Sequence, residues 1–459
     1  MTLVIDQLTD HVLNTRYEDF SDVVIEAGKR RIIDAIGCTI GGANGPGNKA
    51  LLDLIRGWGG RKEATIVAHG DKVPLPNAVM MNSIMTRSFD FEVTGPEPEG
   101  ANAGKMVGHA ASTTEPTALS VAEYTGATGR EMIAAVILGG DLTARIAVAN
   151  DFSFDTCFEL CGTANAFGAT AIAGRLMHLD RPRLVNAFGI LLNLMAGSFQ
   201  SILDGVHSFK LPGAMSAYHA IFSVQLSQRG FTGVKDPLMS PRGYFAQYCK
   251  TPHPENMLID LGKIFYVKGQ HKLHPSCYGN HNPIECALEI LKKYTFNTKD
   301  IKAITYDVPP NRINFLNQSF GLKDLQPKAL FNIPYAIANA LVRKEVRLEH
   351  YTDEYIHDPK VLALIKKITL LPNLPLGKNQ AGRLTVKLKD GRELSAYREY
   401  PLGWLRSPTP FEEIKNKFMK NVNFSKTVSQ KNALKALDMF EHLEEVDRVA
   451  KIVKLLVSK

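Results

Sequence analysis

Apolar residues recur at helical spacing along most of the first 265 positions. From Asp22 to Ala43, DVVIEAGKRRIIDAIGCTIGGA places Val24, Ala27, Ile32, Ile33, Ile36 and Ile40 on one side of a helix. The basic triplet Lys29 to Arg31 falls mainly on the other side, and Gly41 and Gly42 end the helix. Asn48 to Trp58 is a second, shorter helix, and EATIVAHG alternates as a short strand or an extended connector would. Residues 76 to 89 form a helix. Glu115 to Tyr124, Arg130 to Asn150, Thr163 to Leu176, Arg181 to Phe199 and Ala214 to Arg229 follow as helices. Several are apolar nearly all round, as helices are when other helices bury them.

After residue 265 the period changes. IKAITYDVPP and RLTVKLKDGRELSAYREYP alternate, and Asp390-Gly391 between two alternating runs predicts a hairpin. Helices fall between these strands, at 283 to 294, 327 to 343 and 358 to 368, with Tyr335 a core residue at the start of a buried one. From Phe411 onward the pattern is helical again, with KNALKALDMFEHLEEVDRVAKIVKLL amphipathic. The fold expected is mainly α with an α+β second domain: a bundle-like helical domain over 1–267 and a smaller α+β domain over 268–403. C-terminal helices over 404–459 return to the first.

Composition narrows the class. An apolar fraction of 45% with 22% charged residues is that of a globular protein, and 459 residues suit two domains. The net charge of +8 is spread along the chain, which argues against a nucleic acid partner and is compatible with small anions. The six cysteines, Cys38, Cys157, Cys161, Cys249, Cys277 and Cys286, are too scattered for a disulfide framework or a zinc set; reduced, mostly buried thiols are expected. MTLVIDQLTDHVL is not a secretory signal, and no stretch reaches the ~18 apolar residues of a membrane span. No membrane association and a cytoplasmic location are the expectation.

Candidate chemistry concentrates in Ser88 to Ser112, SFDFEVTGPEPEGANAGKMVGHAAS. Asp90, Thr94 and His109 lie in a Gly/Pro-rich loop between two helices, and loops held on rigid elements are where catalytic groups usually sit. A surface loop with a capping Asp and a solvated His is the plain alternative. There is no Gly-rich phosphate loop, GxSxG elbow, HExxH or Cys/His metal spacing, so neither a metal nor another cofactor is called for. His, Lys, Asp, Thr and Tyr near Gly and Pro suit acid-base chemistry on a small acidic molecule.

Several segments in order, RIIDAIGCTIGGA, SFDFEVTG…GHAAS, ATGREMIAAVILGGDLTARIA, GTANAFGATAIAGRLMHLD, HSFKLPGAMSA, KLHPSCYGNHNPIECALEI, ALFNIPYAIANAL and YPLGWLRSPTPFEEIKNKF, resemble the MmgE/PrpD family. That family includes 2-methylcitrate dehydratase, cis-aconitate decarboxylase and iminodisuccinate epimerase. The resemblance implies a large helical domain, a smaller α+β lid, commonly a homodimer, and cofactor-free work on a small carboxylate. Its Asp-x-x-x-Thr pair corresponds to Asp90 and Thr94, its following His to His109, its lysine to Lys210 and its lid His to His281. An insertion lengthens the loop between Thr94 and His109.

In this assignment an Asp90/His109 unit abstracts a proton beside a carboxylate, Lys210 stabilises the charge that develops, and His281 or Tyr278 delivers a proton. Thr94, Glu159, His207, Lys272 and Tyr278 are the candidates for binding substrate. Glu159 stands where the family often has a His, and Tyr278 and the run Leu211 to Met215 stand where it has basic residues, so a substrate less acidic than a tricarboxylate is expected. Each has a plain alternative: a capping Asp90, a solvent-facing Lys210, a His281 that only satisfies a turn. A carbon-oxygen lyase of the dehydratase kind is the first reading and an epimerase or isomerase the second. A decarboxylase shares the first step, and a non-catalytic ligand-binding relative is the alternative from a different class.

Overall fold

The computed structural model describes residues 3–105, 107–150, 152, 156–310, 316–377, 380–404 and 408–458. Helices Val4–Asn14, Asp22–Gly41, Leu75–Arg87, Ala111–Thr125, Gly129–Val148, Ala164–Leu176 and Leu211–Gln228 pack on one another and share one apolar core. Gly129–Val148 shows why the sequence is apolar all round: every residue from Met132 to Val148 is buried. Its start is set by a capping box, Thr128 accepting from the Glu131 backbone while the Glu131 carboxylate accepts from Thr128.

Three local expectations change. In Asp22–Gly41, Lys29 and Arg31 turn inward. Arg31 Nε pairs with Glu115 at 2.9 Å and Lys29 with Glu444 at 3.1 Å, partners on distant helices that one helix's periodicity does not reveal. The helix predicted over 181–199 ends at Leu191. Beyond it the backbone bonds to the 157–162 segment, with Ala196 N on Gly162 O and Phe199 N on Cys157 O, so helical bonds are replaced. Ile368, expected in a helix, begins strand Ile368–Leu371, which pairs in parallel with Ile301–Asp307. None of the six cysteines, all among the described residues, forms a disulfide; three are buried, two partly buried, and Cys157 is exposed.

EATIVAHG contributes Ala64–Thr65, paired antiparallel with Lys72–Val73. The larger sheet runs Ile368–Leu371, Ile301–Asp307, Gly382–Leu388, Glu393–Arg398, with the last two pairings antiparallel. Asp390-Gly391 turns the last hairpin, Gly391 adopting the φ of 92° that favours glycine. Helices His281–Lys293 and Ile333–Arg343 pack with this sheet in a second core. Tyr335 is fully buried there and its hydroxyl donates to His350 O.

Helix Phe411–Ser425 packs on Asp22–Gly41, close enough that a Cβ on Gly41 would lie 2.3 Å from Asn421 Oδ1. Phe89, Phe91, Phe199 and Phe209, from the helical part, belong to the second core. The residues flanking Asp90 therefore lie at the seam between the helices and the sheet. No helix among the described residues is long and apolar enough to cross a membrane.

Candidate active site

Helix Leu75–Arg87 ends in a buried guanidinium that organises its surroundings. Arg87 pairs with Asp90, with Glu92 at 3.0 Å and with Glu159 at 3.4 Å, and its guanidinium carbon lies 5.5 Å from the centre of the Phe209 ring. Lys272, fully buried on the segment leading to the sheet, completes the cluster. Its ammonium is 2.9 Å from the Asp90 carboxylate and 2.5 Å from the Asp90 carbonyl oxygen.

The backbone from Asp90 to Thr94 is held from several elements. Asp90 has a φ of 46°, a left-handed conformation that Asp tolerates better than most residues. Lys417 Nζ donates to Phe91 O at 2.6 Å, Val93 N donates to Asp34 Oδ1 at 2.8 Å, and Thr94 N donates to Gln270 O at 3.1 Å. Arg31 Nη1 donates to Thr94 O at 3.1 Å. Loop closure then brings His109 near: Gly95 N bonds to Gly108 O and Ala110 N to Gly95 O, both at 3.0 Å. Asn165 and Cys161 hold the carbonyl of His109, and its Nδ1 lies 3.9 Å from Glu92.

These charges set the protonation states. Burial pushes the Asp90 carboxyl up, but Arg87 and Lys272 beside it outweigh burial and hold it well below the usual carboxylate range. For Glu92 and Glu159 burial wins over Arg87, and both are raised. Burial, with Lys272 and Arg87 adding to it, holds the His109 imidazole well below its ordinary value and so neutral at neutral pH. An ionised carboxylate, two carboxyls inclined to keep a proton and a neutral imidazole thus share one neighbourhood.

Several buried polar atoms here have no hydrogen-bond partner: Asp90 Oδ2, Glu92 Oε2, Glu159 Oε2, Thr94 Oγ1 and His109 Nδ1. Buried polar atoms are nearly always bonded, so such a concentration is the mark of a place built to meet a polar molecule. Asp90, Glu92 and His109 also bring potential metal-ligating atoms within 4.8 Å of one another. Arg87 and Lys272 already bind these carboxylates, and their fixed positive charge opposes a divalent ion there.

The other candidates lie around this cluster. His281 is fully buried with neither ring nitrogen bonded, stacks on Tyr278 at 5.0 Å, and feels the charges of Lys272 and Asp90. Burial, then His274 and Lys272, hold it well below its ordinary value. The Tyr278 hydroxyl is unbonded too, and burial raises it, with Glu285 and Glu97 adding to this.

Lys210 does not pair with Asp90. Its ammonium bonds to Pro46 O and Asn48 Oδ1, both at 2.7 Å, and burial lowers it to about 7. One link joins it to the cluster: Asn48 Nδ2 donates to Ser88 Oγ at 2.8 Å, two residues before Asp90. Among the described residues no carboxylate pairs with Lys210. His207 sits against Gly47 on that side.

Arg87 and Glu92 escaped the sequence reading. Each lies within three residues of Asp90, and the signal was a run of charges at the end of an otherwise apolar helix, RSFDFE. Glu92 joins Asp90 beside the His109 ring: its carboxylate lies 3.9 Å from Nδ1, and the Asp90 charge also acts on the imidazole.

The family model described as the MmgE/PrpD N-terminal domain matches residues 6–257, and that described as the MmgE/PrpD C-terminal domain matches residues 274–444. The chain is similar to the cis-aconitate decarboxylase of Mus musculus, 21% identical over 456 residues covering 95% of this chain and 90% of that protein. The Homo sapiens cis-aconitate decarboxylase is likewise 21% identical, over 95% of this chain and 91% of its own length. With both domain models matched in order, around a cluster built from the segments that first pointed to it, the chain belongs to the MmgE/PrpD family.

Proposed function

We propose that the chain is a lyase that acts on a small carboxylic acid by removing a proton from the carbon beside a carboxylate, with loss of water as the outcome. The observation that carries this is the convergence of an ionised Asp90 fixed between Arg87 and Lys272, a neutral His109, and the proton-retaining Glu92 and Glu159. His109 is the base. Electrons from the broken C–H bond form the double bond as the hydroxyl on the next carbon departs, taking a proton from Glu159 to leave as water.

Lys210 supplies the charge for the substrate carboxylate. A buried ammonium bonded only to carbonyl oxygens is poorly compensated, and an incoming carboxylate would complete it. Arg87 and Lys272 hold Asp90 and Glu92 in place, and no resident cofactor is invoked. A homodimer, by family resemblance, working in the cytoplasm belongs to this proposal.

Loss of carbon dioxide is the second reading, favoured by the named activity of the two relatives. Incubation with hydroxy acids and di- and tricarboxylates, read by mass spectrometry, separates the two by the fragment lost. Isotope uptake from deuterated water into recovered substrate, with neither fragment lost, would replace both with an epimerase. No turnover or exchange with any of these acids would sink the proposal.

A further inference from the structure

The helix that turns Arg31 inward also buries a carboxylate, Asp34, one turn further on. Both of its oxygens are used. Oδ1 accepts from Val93 N at 2.8 Å, and Oδ2 accepts from Lys417 Nζ at 2.7 Å and lies 3.1 Å from His271 Nδ1. Lys417, on helix Phe411–Ser425, also donates to Phe91 O at 2.6 Å and stands 4.0 Å from the centre of the Phe91 ring. Burial pushes the Asp34 carboxyl up, but Lys417 and His271 beside it outweigh burial and hold it at about 2. Asp34 is therefore ionised at neutral pH.

The segments that meet on this carboxylate are the two whose contact makes the candidate site. Phe91 and Val93 follow Asp90, and His271 precedes Lys272, whose ammonium is 2.9 Å from the Asp90 carboxylate. Thr94 N on Gln270 O sets the two segments side by side. Asp90 itself holds a left-handed φ of 46°, a conformation that persists where the surroundings over-determine it. Helix Leu75–Arg87 fixes it from one side, with Asp90 N on Arg87 O at 3.1 Å. Asp34 and Lys417 fix it from the other. A buried ion pair adds little net stability, and its best-attested use is to specify one arrangement.

Resting on the reading of the Asp90 cluster as the acid-base site, we infer that Asp34 is its positioning residue, holding the Asp90 loop and the Lys272 segment on one carboxylate and so setting where they meet. Lys417 shares the task, because it bonds Asp34 and the loop at once. The charges that act on the His109 imidazole are Lys272, Arg87 and Asp90, with Glu92 3.9 Å away; Asp34 and Lys417 are not among them. A change at Asp34 or Lys417 therefore reaches His109 only by moving Lys272 and Asp90. Once Lys272 draws back from Asp90, its own charge weighs less on the imidazole and that of Asp90 weighs more, and both raise His109.

An NMR titration of the intact protein with isotope-labelled histidine tests this, the His109 signal being assigned by its loss in His109→Gln. In the wild type His109 is expected to stay neutral down to about pH 5. Asp34→Asn and, separately, Lys417→Met should raise its titration by about one pH unit, and Lys417→Arg, which keeps the pair, should restore it. Lys417→Met guards against Asp34→Asn failing to fold, since His271 remains on Asp34. Arg145→Met, which breaks the buried Arg145–Asp141 pair elsewhere in the helical part, should leave the His109 titration in place and so separates positioning from loss of stability. On an acid found by the mass-spectrometric screen, Asp34→Asn and Lys417→Met should lower kcat about tenfold with KM moved less than about threefold. An unmoved His109 signal or an undiminished kcat in the folded variants, or an equal shift in Arg145→Met, overturns the inference and leaves the lyase reading intact. A shift with no acid turned over keeps the positioning role of Asp34 and removes the lyase.

Discussion

Two buried charge clusters of this protein differ in one respect, and the difference separates architecture from chemistry. Around Arg145 the bonding is closed. Its guanidinium donates to Asp141 at 2.7 Å and to the carbonyls of Met257, Ile259 and Ile264, and it lies 4.7 Å over the Tyr266 ring. Asp141 is completed by Tyr266 N at 2.8 Å and His11 at 3.0 Å. Around Arg87 the same kinds of group leave three carboxylate oxygens and an imidazole nitrogen without partners. A cluster that satisfies itself ties segments together, whereas one that leaves acceptors open is organised for another molecule.

The comparison breaks most readily by mutation at its open side. His109→Gln and Asp90→Asn are expected to lower kcat/KM on an identified substrate by about 10²–10⁴-fold, the usual range for a positioned acid or base. The unfolding midpoint of His109→Gln should stay near wild type, whereas Asp90→Asn strands the buried Arg87 and Lys272 and should lower stability as well; a large drop in His109→Gln would make Arg87's cluster architectural. Arg145→Met should do the opposite. Stranding the fully buried Asp141 costs about 3–5 kcal/mol in denaturant unfolding, with turnover per folded molecule retained.

Protonation sharpens the contrast on a smaller scale. Glu92 and Glu159 are raised in the folded state, so the unfolded chain loses its protons first as pH climbs past the ordinary glutamate value. Stability should therefore fall with rising pH from about 4.5 to the raised values. Glu92→Gln and Glu159→Gln should flatten that decline in urea titrations at a series of pH values, and an unaltered slope would remove these groups from it.

The smallest effect concerns Lys210, lowered to about 7 by burial. Its charged form predominates below that value, so kcat/KM should decline above it by up to about tenfold per pH unit if the ammonium meets the substrate. Lys210→Arg keeps the charge and should erase this alkaline limb. Retention of the limb in the variant would assign it to another group.

Much of the fold was legible because burial and periodicity are local signals. The all-round apolar helices, the Asp390-Gly391 hairpin and the shift to alternation after residue 265 each need only a short window of residues to be seen. Where long-range bonds replaced local ones the reading slipped, as at residues 192–199, which pair with the 157–162 segment, and at Arg31, whose partner Glu115 lies on another helix. The site was half legible. Asp90, Thr94 and His109 stood out in a polar loop, while Arg87 shows its role only through the partners that packing brings to it.

By itself the chain's order of residues determined which segments coil, where the strands turn and which short stretch holds the reactive groups, since each follows from neighbours a few positions apart. Only the tertiary structure decided that Lys272 meets Asp90, that Glu159 shares Arg87, and that Lys210 keeps its charge away from every carboxylate among the described residues. Electrostatic energy depends on separation in space and on the water excluded between the charges. Residues 72 or 182 positions apart acquire a shared protonation behaviour only when packing sets both.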